Sequence, residues 1–179
     1  MPNSSAPTTY NYDDFLELST TTPTTVSDID TESGVYLIDG DHELENTTVP
    51  NDYDDETFNH VYFINGDLTI TKDIDIDTSS TALYIVNGSV NISKGADTVG
   101  IAIFTDGEFH TAYDREEDQA TSTLELFGVY AADNFFLERT LQGTNNTKYP
   151  SESFRFEPKY ITKMDDYFGT STVHWLSVD

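Results

Sequence analysis

Asp73, Asp75 and Asp77 stand at alternate positions of the stretch KDIDIDT, residues 72–78. Along an extended strand, alternate side chains share one face about 7 Å apart. Three carboxylates so placed suit two chemistries. They can flank a glycosidic bond as acid and base, or hold a hard cation such as Ca²⁺ through oxygen. Ca²⁺ is the one cofactor the chain suggests, and Asp73, Asp75 and Asp77 are its candidate metal ligands. Against catalysis, Lys72 is the only base beside them and no second acidic strand aligns with them. Solvated surface is the ordinary state of such a run.

The other polar groups point less clearly to chemistry. The acidic clusters Asp52, Asp54, Asp55, Glu56 and Asp114, Glu116, Glu117, Asp118 lack the sixth-position Gly and twelfth-position Glu of a calcium loop. His42, His60, His110 and His174 include no pair at metal-ligand spacing. His42 and His110 each follow a glycine where an outward polar residue belongs, and all four read as surface residues. The absence of Cys excludes thiolate sites and disulfides. No serine sits in a nucleophile elbow, and no glycine-rich loop carries a phosphate-binding lysine. Arg139 lies in an apolar run and reads as a structural ion pair with Glu138, Glu152 or Glu157, since its planar fork suits a carboxylate. These residues predict no enzyme and no catalytic residue.

The elements that would position such groups repeat. VYLIDGDHEL (35–44), VYFINGDLTI (61–70) and LYIVNGSVNI (83–92) each join an apolar run, an Asx-Gly pair and an alternating run. Aligned glycines fall at Gly40, Gly66, Gly88 and Gly107, at steps of 26, 22 and 19 residues, and Asn134 takes the glycine's place 27 residues further on. Steps of this size suit solenoid coils. The period is two throughout, with Val, Ile, Tyr and Thr abundant, so the chain is all-β.

Two folds fit. In an antiparallel β-meander or sandwich, each Asn-Gly is a hairpin turn. In a right-handed parallel β-helix, each is a corner, and like strands stack coil on coil. Leu68 and Ile70 recur as Val90 and Ile92 at equal offsets, which favours one interior column and therefore the β-helix. In the same way Ile74 and Ile76 point inward and the three aspartates outward.

Composition divides the chain in three. Residues 1–33 form a Ser/Thr/Pro-rich lead-in or extended segment, with YDDFLEL (12–18) a short docked piece of about one helical turn. Residues 34–138 form the coils. Residues 139–179 form a C-terminal cap, in which Tyr149, Phe154, Phe156, Tyr160, Phe168 and Trp175 cover the apolar end that a solenoid otherwise exposes.

The charge excludes further classes. Against 33 acidic residues stand 8 Lys and Arg, for a formal net charge of −25. Such a surface repels nucleic acid and anionic lipid. No apolar run approaches a membrane span, and the first residues lack the charged and apolar regions of a signal peptide. Asn-x-Ser/Thr acceptors at Asn3, Asn46, Asn87, Asn91 and Asn145 point to an extracellular or cell-surface setting.

With these residues in view, YFINGDLTI, LYIVNGSVNI, GIAIFTDGEFHT, LFGVYAADNFFLERTL, SESFRFEPKYI and the closing VHWLSVD resemble, in that order, a β-helical domain of large predicted surface proteins from uncultured bacterial lineages. The resemblance spans residues 34–179. It implies a structural role at the cell surface and no catalytic residues. The leading expectation is a non-enzymatic extracellular structural or adhesive module of a cell-surface or filament protein, with glycans or copies of itself as partners. The alternatives are a carbohydrate-active or glycan-binding β-helix, and a fibre subunit that donates its N-terminal segment to a neighbour.

Overall fold

The computed structural model describes residues 11–27, 33–45, 58–76, 79–114 and 119–168. Its strands form three sheets, and every pairing between them is parallel. The first sheet runs β1 (Thr24–Thr25), β2 (Gly34–Asp39), β4 (Asn59–Asn65), β6 (Thr81–Val86), β9 (Ala102–Thr105), β12 (Tyr130–Ala131). The second runs β3 (His42–Leu44), β5 (Leu68–Ile70), β7 (Val90–Ile92), β10 (Glu108–His110), β13 (Asn134–Phe136). The third holds β8 (Thr98–Val99), β11 (Leu124–Gly128) and β14 (Glu152–Phe156), extended by a bridge from Ile74 to Val99. The chain is a parallel β-helix. Each Asx-Gly pair is a corner between two sheets, so no antiparallel hairpin forms at Asn65-Gly66 or Asn87-Gly88.

The register reproduces the glycine steps. Gly34 pairs with His60, Val61 with Leu83, Leu83 with Ala102 and Ile103 with Tyr130, at offsets of 26, 22, 19 and 27 residues. On the second sheet the last offset is 26, from Phe109 to Phe135. The final corner is therefore one residue shorter. Asn134 does not replace a glycine; it opens β13, opposite Glu108.

Glycine is required at these corners because the coils touch there. A Cβ on Gly66 would lie 2.5 Å from the carbonyl carbon of Gly40, and one on Gly88 would lie 2.5 Å from the Gly66 oxygen. Beside the glycines runs a ladder of side chains. Asn87 Nδ2 donates to Asn65 Oδ1 (3.1 Å), and Asn65 Nδ2 donates to Asp39 Oδ1 (2.9 Å). Stacking like on like also fills the interior. Tyr36, Tyr62 and Tyr84 are register partners whose rings stack at 5.3 and 5.1 Å. Leu68, Ile70, Val90 and Ile92 join the same core, as do Ile74 and Ile76.

The first sheet is buried on both faces. Its outer face, with Val61, Phe63, Leu83 and Ile85, packs against Tyr12 and Phe15 of α1 (Tyr12–Leu18) and Tyr160 of α2 (Lys159–Phe168). The apolar runs VYFI and ALYI are the signature of such a sheet. A capping box starts α1: Asp14 N donates to Asn11 Oδ1 and Asn11 N to Asp14 Oδ2. The two helices meet where Thr20 N donates to the Tyr167 carbonyl (2.8 Å). Residues 12–18 are thus docked on the stack, as their sequence predicts, and Thr24–Thr25 add an extended edge strand to β2.

The C-terminal segment also departs from expectation. Residues 152–156 form a further rung, paired with β11 over five residues. Tyr160 and Phe168 pack beside the stack, on the outer face of the first sheet. Tyr149, Phe154 and Phe156 are exposed, so they do not close the last coil. Trp175 lies outside the described residues.

Candidate functional site

The aspartate row occupies the third side of the solenoid. Ile74 and Ile76 are buried and Asp73 and Asp75 exposed, as the alternation predicts. Asp73 Oδ1 accepts from the amides of Asp97 (2.6 Å) and Thr98 (3.0 Å) on the next coil. Asp77 lies outside the described residues, among which no group of three or more His, Cys, Asp or Glu converges as a metal site. The cluster 52–56 lies outside them too, as do Glu116, Glu117 and Asp118. Asp114 accepts from Ser93 Oγ (2.7 Å) and Lys94 N (2.8 Å). Partial burial pushes its pKa up, but those hydrogen bonds outweigh burial and hold it below the ordinary carboxylate value.

The histidines divide. His174 lies outside the described residues and His42 is half-buried. His60 is buried, with its ring stacked between Phe58 and Tyr62 at 5.9 and 5.7 Å, so it is no surface residue. It sits at an inward position of β4, where an aromatic column accepts a flat ring. His110 is held between two carboxylates: Nδ1 lies 3.1 Å from Glu138 and Nε2 3.1 Å from Glu108. Phe136, its register partner, stacks on the ring at 4.7 Å. Two carboxylates on two ring nitrogens require two N–H donors, which only the imidazolium has. Desolvation lowers the His110 pKa, but Glu138 and Glu108 outweigh it and raise the pKa above its ordinary 6.5. Sequence reading missed this clamp because Glu138 is 28 residues away in the chain and one coil away in space.

Arg139 is buried, and its partner is not one of the three predicted glutamates. Its guanidinium donates to Asp97 Oδ1 (2.5 Å), the Ala96 carbonyl (2.9 Å) and the Ser122 carbonyl (2.9 Å). Burial lowers its pKa, with Asp97 opposing. Glu152 accepts instead from the Arg139 backbone N–H (2.9 Å) and from Thr111 Oγ1 (2.7 Å). The side chain thus ties three backbone turns together at the third corner.

Two surface features remain. One is a groove of about 240 Å³ beside α1, lined by Tyr12, Phe15, Ile85, Phe104, Asp106 and Asp133 among others. Asp106 already accepts from the Tyr12 N–H (2.9 Å). The other is the last coil. The interior column Leu68–Val90–Phe109–Phe135 is fully buried until its final member, where Phe135 is 42% exposed. In the column Val99–Leu126–Phe154 the exposure likewise jumps from 0% to 45%. Phe136, Leu137 and Phe156 extend the apolar surface. The first coil is closed by contrast. Leu44 is 2% exposed, and Val26, whose N–H donates to the Leu37 carbonyl, packs against the core.

No family model, curated protein or solved structure matches the chain.

Proposed function

We propose that the chain is a non-enzymatic structural module of an extracellular, cell-surface or filament protein. One observation carries this reading: the well-placed polar side chains clamp coil to coil. Asp41 accepts from Asp67 N, Asp67 from Ser89 N, Asp73 from Asp97 N and Asp114 from Lys94 N. Asn65 and Asn87 extend the same pattern. A carboxylate fixed on backbone amides supports a stack, whereas an acid–base pair needs two carboxylates facing one substrate. The resemblance to bacterial surface domains points the same way, as do the Asn-x-Ser/Thr acceptors, of which Asn87 is exposed.

The competing reading is a carbohydrate protein, and the groove beside α1 is where it would act, because aromatic rings and two carboxylates suit a sugar. The test is turnover of polygalacturonate with and without Ca²⁺, together with calorimetric titration of oligosaccharides. The structural reading expects neither turnover nor binding. Turnover or sugar binding abolished by Asp133→Asn would overturn it.

A further inference from the structure

We propose that the groove beside α1 is a cation site, and that its ligand is the protonated side chain of a lysine presented by a partner protein. The inference goes beyond the structural reading and does not depend on it. The corner column of side chains supplies the charge. Asp39, Asn65 and Asn87 stack there, with each asparagine amide donating to the coil before it. Thr105 lies opposite Val86, so the next member of the column is Asp106. A carboxylate has no N–H to pass on, and the amide ladder stops. Asp106 Oδ2 accepts from the Tyr12 N–H instead, and the exposed Asp133 joins it on the rim of the groove. No Lys or Arg is among the residues that line the groove. Two carboxylates thus share one opening, on a chain whose net charge of −25 already draws cations.

The walls select an organic cation. Phe15 and Phe104, whose ring centroids lie 5.0 Å apart, line the groove with Tyr12. A cation within about 6 Å of an aromatic face is attracted to the ring, and the same rings cover methylene groups. A hard metal ion gains nothing from such walls. Ca²⁺ takes about 6–8 oxygen ligands, and one Asp106 oxygen is already spent on Tyr12. A neutral sugar leaves both charges uncompensated. Size narrows the choice further. At about 240 Å³ the groove is smaller than the roughly 300 Å³ at which sites for whole small molecules begin, so it suits one side chain. Between the two basic side chains, the acceptors favour Lys. Arg brings a rigid fork that matches both oxygens of one carboxylate, whereas Asp106 has only one to give. An ammonium carries three donors that turn freely and can bridge two carboxylates on different coils.

The test is an amide NMR titration of the full chain at moderate salt, with Nα-acetyl-lysine methylamide as the probe. The Tyr12 amide is the reporter, because it donates to Asp106. Saturable shifts are expected at Tyr12, Asp106 and Asp133. The same probe acetylated at Nε keeps its shape and loses its charge, and should bind about tenfold more weakly or worse. Asp133→Asn, an exposed change that the fold tolerates, should raise the dissociation constant about threefold or more. Glu43→Gln removes the same charge from the exposed surface of the first coil and should leave the titration unchanged. No saturable shift at the three amides, binding indifferent to acetylation, a loss as large in Glu43→Gln as in Asp133→Asn, or tighter binding of the matching blocked arginine would each overturn the proposal. None of these would touch the structural reading, which stands or falls on turnover and sugar binding.

Discussion

At the scale of single residues, the corner glycines and Arg139 show which side chains the stack cannot lose. A Cβ at position 88 would lie 2.5 Å from the Gly66 oxygen and 2.6 Å from Asp67 Oδ1. Backbone against backbone cannot yield cheaply, so Gly88→Ala should cost about 2–3 kcal/mol in denaturant melts. Gly95→Ala meets its nearest atom at 3.5 Å and should change stability by under about 1 kcal/mol. Equal losses at both sites would contradict the account of the corners. Arg139→Ala leaves the carbonyls of Ala96 and Ser122 without their donor and should cost about 3 kcal/mol, since removing one partner of a buried pair costs more than the pair contributes. Asp97 is 39% exposed, which keeps the loss at the low end of the usual range. The glycines were legible from their spacing alone. That Arg139 is a structural ion pair was legible too, but not its partner. Asp97 lies 42 residues away, and which acid reaches a buried guanidinium depends on how coils of unequal length align.

At the scale of elements, the strands were readable and the helices were not, apart from the short docked turn at 12–18. Period two and the Asx-Gly pairs set out β2 to β7, β9 and β10. The helix α2 was not legible because its sequence, KYITKMDDYF, lies in a segment whose aromatic residues suit a cap. The clue lay elsewhere: strands apolar on both faces need a cover outside the coil. Phe15 is part of that cover, with its ring 5.0 Å from Phe104 and 5.6 Å from Phe168. Phe15→Ala should cost about 3 kcal/mol, and a near-neutral effect on the melt would mean that α1 is not docked as described. The clamp between β10 and β13 gives a pH signature. Because folding raises the His110 pKa above 6.5, its contribution is fully present below 6.5 and is lost as pH rises through the folded value. The gap in melting temperature between wild type and His110→Gln should therefore shrink steadily as pH rises above 6.5. A gap that widens with pH would reverse the sign and remove the clamp.

At the scale of the whole molecule, charge opposes the compact state. With a net charge of −25 on 179 residues, NaCl should raise the melting temperature by screening self-repulsion, with a Debye length of about 10 Å at 0.1 M. CaCl₂ at matched ionic strength should add nothing, because Asp73 Oδ1 already accepts two amides from the next coil. A further Ca²⁺-specific rise would restore Asp73, Asp75 and Asp77 as ligands. The register of the first four coils was legible because stacking like on like writes itself into spacing. The end of the stack was not, because a terminal rung and a cap have the same aromatic composition and differ only in what lies beyond them. The most direct test of the parallel stack exploits the absence of cysteine. Thr69 and Asn91 are register partners on adjacent coils, separated by the 4.7–4.9 Å of neighbouring strands. Cysteines at both positions, each carrying a nitroxide spin label, should show strong spin–spin broadening, while either single label gives a narrow spectrum. A doubly labelled protein as narrow as the single variants would contradict the stacked register and the parallel β-helix with it.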